Sequence, residues 1–167
     1  MAFDTYMKID GIDGESQDDR HKDWIELLSF SHSFTQPASA TASSAGGATA
    51  GRVDMGPYTV VKYVDRASAK LYEACCTGKH IKEVTIEMCR AAGDDKVKYL
   101  EVKMEAVLVG GVDCGGNGKG NDILPTESIS LVPGKIKWSY TLQKRADGSG
   151  GGQVIGGWDC TANKKWA

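Results

Sequence analysis

The 167-residue chain is predicted to fold as one mainly β domain, a small barrel or sandwich of about eight mostly antiparallel strands with one short flanking α-helix. Apolar and polar residues alternate with period two in several segments. Only one segment has a good helical pattern, and glycine-rich stretches interrupt the alternating runs. A chain of this length buries roughly 70% of its unfolded surface, so a single core is sufficient.

Five runs carry the alternation that is typical of strands with one apolar face and one wetter face. They lie near residues 3–10, 24–34, 83–88, 99–108 and 135–142. In the second run, the predicted apolar face consists of Trp24, Leu28, Phe30 and Phe34, and the opposite face of Ser29, Ser31 and Ser33. Antiparallel sheets tolerate one wet face, and the short connections favour them.

The helix is predicted to begin at Ser68, whose hydroxyl is suited to capping the first turn. Leu71 and Cys75 share its apolar face, and Gly78 stands where a left-handed residue ends a helix. The segment spans about three turns at most, so it flanks the sheet and does not form the core by itself.

Three segments are predicted to be loops: residues 37–51, 114–122 and 147–152. They are rich in glycine and small polar residues, with too little apolar surface to pack. The first has 15 residues, and a structureless loop of that length in a small domain usually has a function or is disordered.

Composition excludes several classes of function. The formal net charge is −2, without the basic excess that nucleic-acid binding requires. No apolar stretch approaches the ~20 residues of a membrane span, and the N-terminus lacks the pattern of a signal peptide. Five scattered cysteines, an odd number, indicate reduced thiols in a protein that folds in the cytoplasm.

The sequence contains no recognisable motif for catalysis or for cofactor binding. The glycine-rich segment 114–122 lacks the spacing of a phosphate loop. Serines and histidines occur without a nucleophile elbow. His21 lies in a charged stretch that is typical of a solvated turn, whereas His32 alternates with Phe30 and Phe34 and is predicted to be a core or interface residue.

Metal and carboxylate chemistry are likewise not predicted. Cys75, Cys76, His80 and Cys89 lack the paired spacing of zinc ligands, and Cys89 falls on the strand face opposite Val84, Ile86 and Met88. Four glutamates lie on strand faces among basic residues, which favours ion pairs over an acid–base pair: Glu83, Glu87, Glu101 and Glu105. We therefore predict no enzyme, no cofactor and no metal site.

Several short motifs are spread along the chain. They are G-E-S at residues 14–16, K-Y-V-D at 62–65, G-K-H at 78–80 and G-W-D at 157–159. With these motifs the sequence resembles the haemolysin-coregulated protein (Hcp) family, the tube subunit of the type VI secretion system. Ala69 departs from the family pattern, which often has proline there, and the Cys75–Cys76 pair and the 37–51 loop are particular to this chain.

The resemblance implies a single tube domain over residues 1–167, similar to phage tail tube proteins. It implies homohexameric rings that stack into a tube, which a contractile sheath expels. The implied partners are the chain itself, the spike protein, the sheath and effector proteins carried in the lumen, without nucleic acid or membrane insertion. The implied route is synthesis in the cytoplasm without a signal peptide, followed by secretion through the type VI system.

Two groups of residues are candidates within such a tube. The small polar face formed by Ser29, Ser31 and Ser33 is predicted to line the lumen or a subunit seam. The 37–51 loop is predicted to contact a stacked ring, with four candidate residues: Ala38, Thr41, Ser44 and Thr49.

The alternative function is that of a secreted carbohydrate-binding β-sandwich. Such modules stack sugars on exposed aromatic rings, and the chain has four tryptophans: Trp24, Trp138, Trp158 and Trp166. Trp24 and Trp138 lie on the apolar faces of their predicted strands, which argues against this function.

Overall fold

The computed structural model describes residues 3–37, 51–92, 95–119, 124–143 and 150–167. The strands in these ranges are β1 (Phe3–Ile9), β2 (Ile25–Leu27), β3 (Ser29–Ser31), β4 (Phe34–Thr35), β5 (Asp54–Met55), β6 (Tyr58–Tyr63), β7 (Ile81–Ala92), β8 (Asp95–Gly115), β9 (Thr126–Val132), β10 (Lys135–Gln143), β11 (Gly150–Asp159) and β12 (Lys164–Lys165). One helix, α1 (Ser68–Thr77), lies between β6 and β7. This mainly β, antiparallel architecture confirms the predicted fold class.

Two sheets share one strand. The first sheet has the order β12-β11-β10-β8-β7-β1-β2. The second sheet runs from β8 through β9 and β6 to β3. A separate ladder pairs β4 with β5. The sheets wrap around a common interior without closing into a barrel.

The 21-residue strand β8 connects the sheets. Its first part pairs with β7 and β10, and its second part pairs with β9. The register shifts between Val109 and Gly111, so Gly110 is an extra residue, and Ala106 shortly before it has a positive φ of 51°. Such a bulge bends a strand and increases its twist, which lets β8 pass from one sheet to the other.

One hydrophobic cluster fills the space between the sheets and the helix. The first sheet contributes Met7, Ile9, Val84, Ile86, Val102, Met104 and Ile136. The second sheet contributes Tyr58, Val60, Val109, Ile129 and Leu131. Leu71 and Ala74 face this cluster from α1, and Cys75 packs against it half-buried, as the helical pattern predicts.

The predicted strand over residues 24–34 is divided into β2, β3 and β4. The chain breaks its ladder at Leu28, whose N–H donates to the carbonyl of Val61 at 2.8 Å. This break shifts the side-chain alternation by one residue. Ile25 is therefore fully buried, while Leu28 is 49% exposed, so the prediction that Leu28 faces the core was wrong.

The start of the helix also differs from the prediction. Ser68 is the first helical residue and does not cap the helix, because Ala67 occupies the cap position. The carboxylate of Asp65 accepts the Ala67 N–H at 2.9 Å instead. At the other end Gly78 has a φ of 63°, and this confirms the predicted left-handed residue.

A buried ion pair lies beneath α1. Lys62 of β6 is 0% exposed and faces Glu127 of β9, which is 1% exposed, across the ladder. The Lys62 Nζ lies 2.6 Å from a Glu127 carboxylate oxygen and 2.6 Å from the Asp65 carboxylate. The hydroxyls of Ser68 and Tyr72 both donate to Glu127. These contacts attach the helix to the second sheet and satisfy the buried charges.

The charge of Glu127 is maintained by its partners. Burial alone raises the pKa of this carboxyl, but hydrogen bonds from Lys62, Tyr72 and Ser68 outweigh burial, and the net pKa is lowered. A folded pKa below the ordinary value of 4.5 means that this group stabilises the fold above that pH. The contribution is lost as the pH falls through the folded pKa.

Lys62→Met should destabilise the fold by about 3–5 kcal/mol, because Glu127 would remain buried without its cation. The free energy of unfolding, measured by urea titration, tests this. Lys70→Met is the matched control: Lys70 pairs with Glu73 at 3.2 Å on the exposed side of α1, and loss of such a pair costs about 0–1 kcal/mol. Equal effects of the two substitutions would contradict the role given to the buried pair.

Candidate interaction surface

The outer face of the second sheet carries short side chains. In the pairing register, one row across the strands is Ser31, Thr59, Ser130 and Gly111, and the next is Ser29, Val61, Ser128 and Asp113. We call the six side chains on β3, β6 and β9 the serine face: Ser29, Ser31, Thr59, Val61, Ser128 and Ser130. All six are exposed or half-buried, and none is charged.

The structure brings together two of the three predicted serines. Ser29 and Ser31 lie on β3, whereas Ser33 lies beyond it, where its carbonyl accepts the N–H of Gly56 at 3.0 Å. Ser128 and Ser130 were not predicted. The alternation of residues in 126–132 could have predicted a strand with Ser128 and Ser130 on its outer face. The inward-facing Glu127 hides this pattern, because a charged residue makes the strand resemble a polar segment.

The outer face of the first sheet is charged. One register row across β1, β7, β8 and β10 consists of Lys8, Thr85, Lys103 and Lys137. Lys103 and Lys137 oppose each other directly, an arrangement that is unfavourable for like charges. The two outer faces thus differ sharply: one is basic along this row, and the other carries small side chains that are uncharged on β3, β6 and β9, with Asp113 of β8 at its border.

Apolar side chains are exposed on the hairpin formed by β10 and β11. Tyr140 and Val154 are register partners and are both exposed. Leu142, two residues after Tyr140, is about half exposed. Ile155 is also about half exposed, but its register partner Ser139 places it on the other face of the hairpin. Exposed apolar surface of this kind marks a candidate contact site.

The residues that flank the predicted 37–51 loop are described by the structure. Residues 38–50 lie outside the described residues, and with them the candidates Ala38, Thr41, Ser44 and Thr49. The ends of the loop are adjacent, because the Gly51 N–H donates to the Pro37 carbonyl at 2.9 Å. The β4–β5 ladder continues from this base.

His32 lies half-buried in an aromatic cluster, a position that suits the predicted core or interface residue. Its ring contacts those of Phe34 and Tyr58, with centroids 4.3 and 5.1 Å away. One ring nitrogen lies 3.1 Å from the carbonyl of Gly56. Burial lowers the pKa of His32 and outweighs this hydrogen bond, which favours the neutral ring.

The prediction that His21 lies in a solvated turn was wrong. The ring is 4% exposed and stacks on Tyr6 at 4.1 Å. Its two nitrogens lie 2.8 Å from Asp18 and 2.9 Å from Glu87. The ring can be buried because carboxylates satisfy both of its nitrogens. Glu87 is 66 residues away in sequence, so the local pattern around His21 gives no sign of this contact.

Three of the four tryptophan rings contact other aromatic or charged side chains, and Trp138 and Trp158 line one small apolar pocket with Phe34. Trp24 meets the ring of His21 edge-on at 4.9 Å, and Trp138 meets Phe34 at 5.4 Å. Trp166 lies beside two lysine ammonium groups at 5.4 and 5.7 Å. Because these rings contact other side chains of the chain, the geometry argues against the carbohydrate-binding alternative.

The described residues contain no helix that is long and apolar enough to cross a membrane. All five cysteines are free. Cys89 is buried on the outer face of β7, whereas Cys76 and Cys114 are exposed.

Known proteins with similar sequence and structure cover nearly the whole chain. The family model described as "Type VI secretion system effector, Hcp" matches residues 6–140. Protein hcp1 of Pseudomonas aeruginosa is 34% identical over 163 residues, covering 98% of both chains.

Solved structures agree with these sequence matches. A structure of a type six secretion system protein superimposes with a TM-score of 0.91 at 36% identity, covering 99% of this chain and all of the other. Hcp1 from Salmonella typhimurium superimposes with a TM-score of 0.80 at 33% identity, with the same coverage. The chain belongs to the Hcp family of type VI secretion system proteins.

Proposed function

We propose that this chain is a structural tube subunit without catalytic activity, which forms hexameric rings that stack into the tube of a type VI secretion system. Membership of the Hcp family supports a role in a type VI secretion system. The uncharged serine face is the observation that most favours a structural role in the tube wall. A contractile sheath and a spike protein are the further partners under this proposal. Under this proposal the chain is made in the cytoplasm and leaves the cell through the same system.

The serine face is suited to the lumen of a tube. Short hydroxyl and methyl groups give a passing protein a smooth, uncharged wall, without long charged side chains that would hold it strongly. The basic row on the first sheet lies on the other outer face and is unsuited to this neutral lining. Effector proteins in the lumen would then contact Ser29, Ser31 and their neighbours on β6 and β9.

The exposed apolar hairpin is suited to contact between copies. Tyr140, Leu142 and Val154 leave apolar surface that a second copy can bury. A head-to-tail contact that repeats with a fixed rotation closes into a ring. The hairpin of one subunit would then pack on a different surface of the next.

Ser31→Gln should reduce the amount of effector that co-purifies with assembled rings several-fold, because a long side chain would narrow the neutral wall. The free energy of unfolding should change by no more than about 0.5 kcal/mol, since Ser31 is exposed. Quantitative co-purification from a producing cell is the measurement. Ala69→Gln, on the exposed side of α1, is the matched control and should leave binding unchanged. Intact rings with unchanged cargo in Ser31→Gln would refute the lumen assignment.

Replacing residues 38–50 by a short glycine-serine linker should leave the subunit folded, because the β4–β5 ladder already joins the ends of the loop. Stacking of rings into tubes should fall sharply, and secretion with it. Thermal unfolding, ring mass and electron microscopy of tubes test this together. Unchanged tubes would show that the loop is a tolerated insertion, whereas an unfolded subunit would place the loop in the core.

A further inference from the structure

Three potential metal ligands converge where the turn around His21 covers strand β7. Glu87 and Cys89 are two residues apart on β7, so their side chains project from the same face. His21 reaches this face with one nitrogen 2.9 Å from a Glu87 carboxylate oxygen. The ligand atoms of His21, Glu87 and Cys89 all lie within 4.8 Å of one another.

The thiol of Cys89 has no other role in the part of the chain that the structure describes. The residue is 2% exposed, and no hydrogen bond to a described residue engages its sulfur. Burial raises the pKa of the thiol, and the nearby carboxylates of Glu87 and Asp18 raise it further. An unpartnered sulfur therefore faces an imidazole and a carboxylate in a largely enclosed site.

The spacing is close to that of a tetrahedral metal centre. Zinc binds nitrogen and oxygen ligands at about 2.0–2.2 Å and sulfur at about 2.3 Å, so ligand atoms around it lie roughly 3.3–3.6 Å apart. Small side-chain rotations would bring the three atoms to this spacing. Asp18 accepts from the Nδ1 of His21 at 2.8 Å, which directs Nε2 toward Glu87 and Cys89. A carboxylate behind a ligating histidine is the usual second layer of zinc sites.

We propose that His21, Glu87 and Cys89 form a binding site for a divalent transition-metal ion of the zinc class, with a water molecule as fourth ligand. The mixture of nitrogen, oxygen and sulfur donors favours zinc or cobalt over magnesium or calcium, which require oxygen ligands. The ion would fasten the turn around His21 to β7.

Binding of one divalent ion displaces protons from this cluster. Nδ1 and Nε2 of His21 lie 2.8 and 2.9 Å from carboxylate oxygens. Coordination uses the Nε2 lone pair and a thiolate sulfur, so the thiol proton of Cys89 and any proton on Nε2 pass to the buffer when the ion binds. Lys98 lies 3.0 Å from Oε1 of Glu87, and the other oxygen, Oε2, is the one that faces His21. The positive charges of Lys98 and Lys96, which pair with Glu87 and Asp18, oppose an added cation.

Cobalt titration of chelator-treated, assembled protein tests the site directly. We expect one equivalent of Co²⁺ to bind, with the visible spectrum of a tetrahedral ion and a thiolate-to-cobalt charge-transfer band, and Zn²⁺ to abolish both signals. Cys89→Ser should remove the charge-transfer band, whereas Cys76→Ser, which alters an exposed thiol, should retain it. Asp18→Asn should keep the band and weaken binding about 10–100-fold.

Glu87→Gln is a second variant that tests the metal site if Cys89→Ser fails to fold. It removes the charge of one ligand and retains the sulfur of Cys89. It should weaken cobalt binding and preserve the charge-transfer band. Absence of stoichiometric cobalt binding would overturn the proposal. So would a charge-transfer band that persists in Cys89→Ser or that disappears in Cys76→Ser. None of these outcomes depends on whether the chain forms a secretion tube.

Discussion

Strand β8 takes part in both sheets, and its bend near Gly110 sets the position of the layers around it. The bulge turns the strand so that its first part pairs with β7 and β10 and its second part with β9. Two sheets that share one strand enclose a single core and leave two separate outer faces. These faces carry different side chains, so the same small subunit has one charged surface and one surface that is uncharged across β3, β6 and β9.

The buried pair of Lys62 and Glu127 fixes the remaining layer. Both residues face inward from β6 and β9, and the hydroxyls of Ser68 and Tyr72 attach α1 to them. Hydrophobic alternation predicted the apolar core and the end of the helix at Gly78. It did not predict this pair, because a charged residue in an alternating pattern is normally assigned to the solvent side. The partners are also 65 positions apart, a separation at which local pattern carries no information.

The candidate surface shows the same limit of sequence reasoning. Ser29 and Ser31 were predicted because they alternate with apolar residues within one run, whereas Ser128 and Ser130 join them only through the register of β6 with β9. Leu28 was assigned to the wrong face because a break in the ladder shifts the alternation by one residue. His21 was assigned to solvent because its partner Glu87 lies on a distant strand. Local periodicity predicts faces, and only the tertiary fold brings the members of a surface together.

Under the proposed function, the serine face and the exposed apolar surface of the β10–β11 hairpin act only when several copies assemble. The mass of the purified protein in solution, measured by light scattering over a range of concentrations, tests this most directly. A tube subunit should form a stable particle of six times the 17.9 kDa chain mass, with little monomer on dilution. A monomer at every concentration, or a dimer that does not grow further, would contradict it.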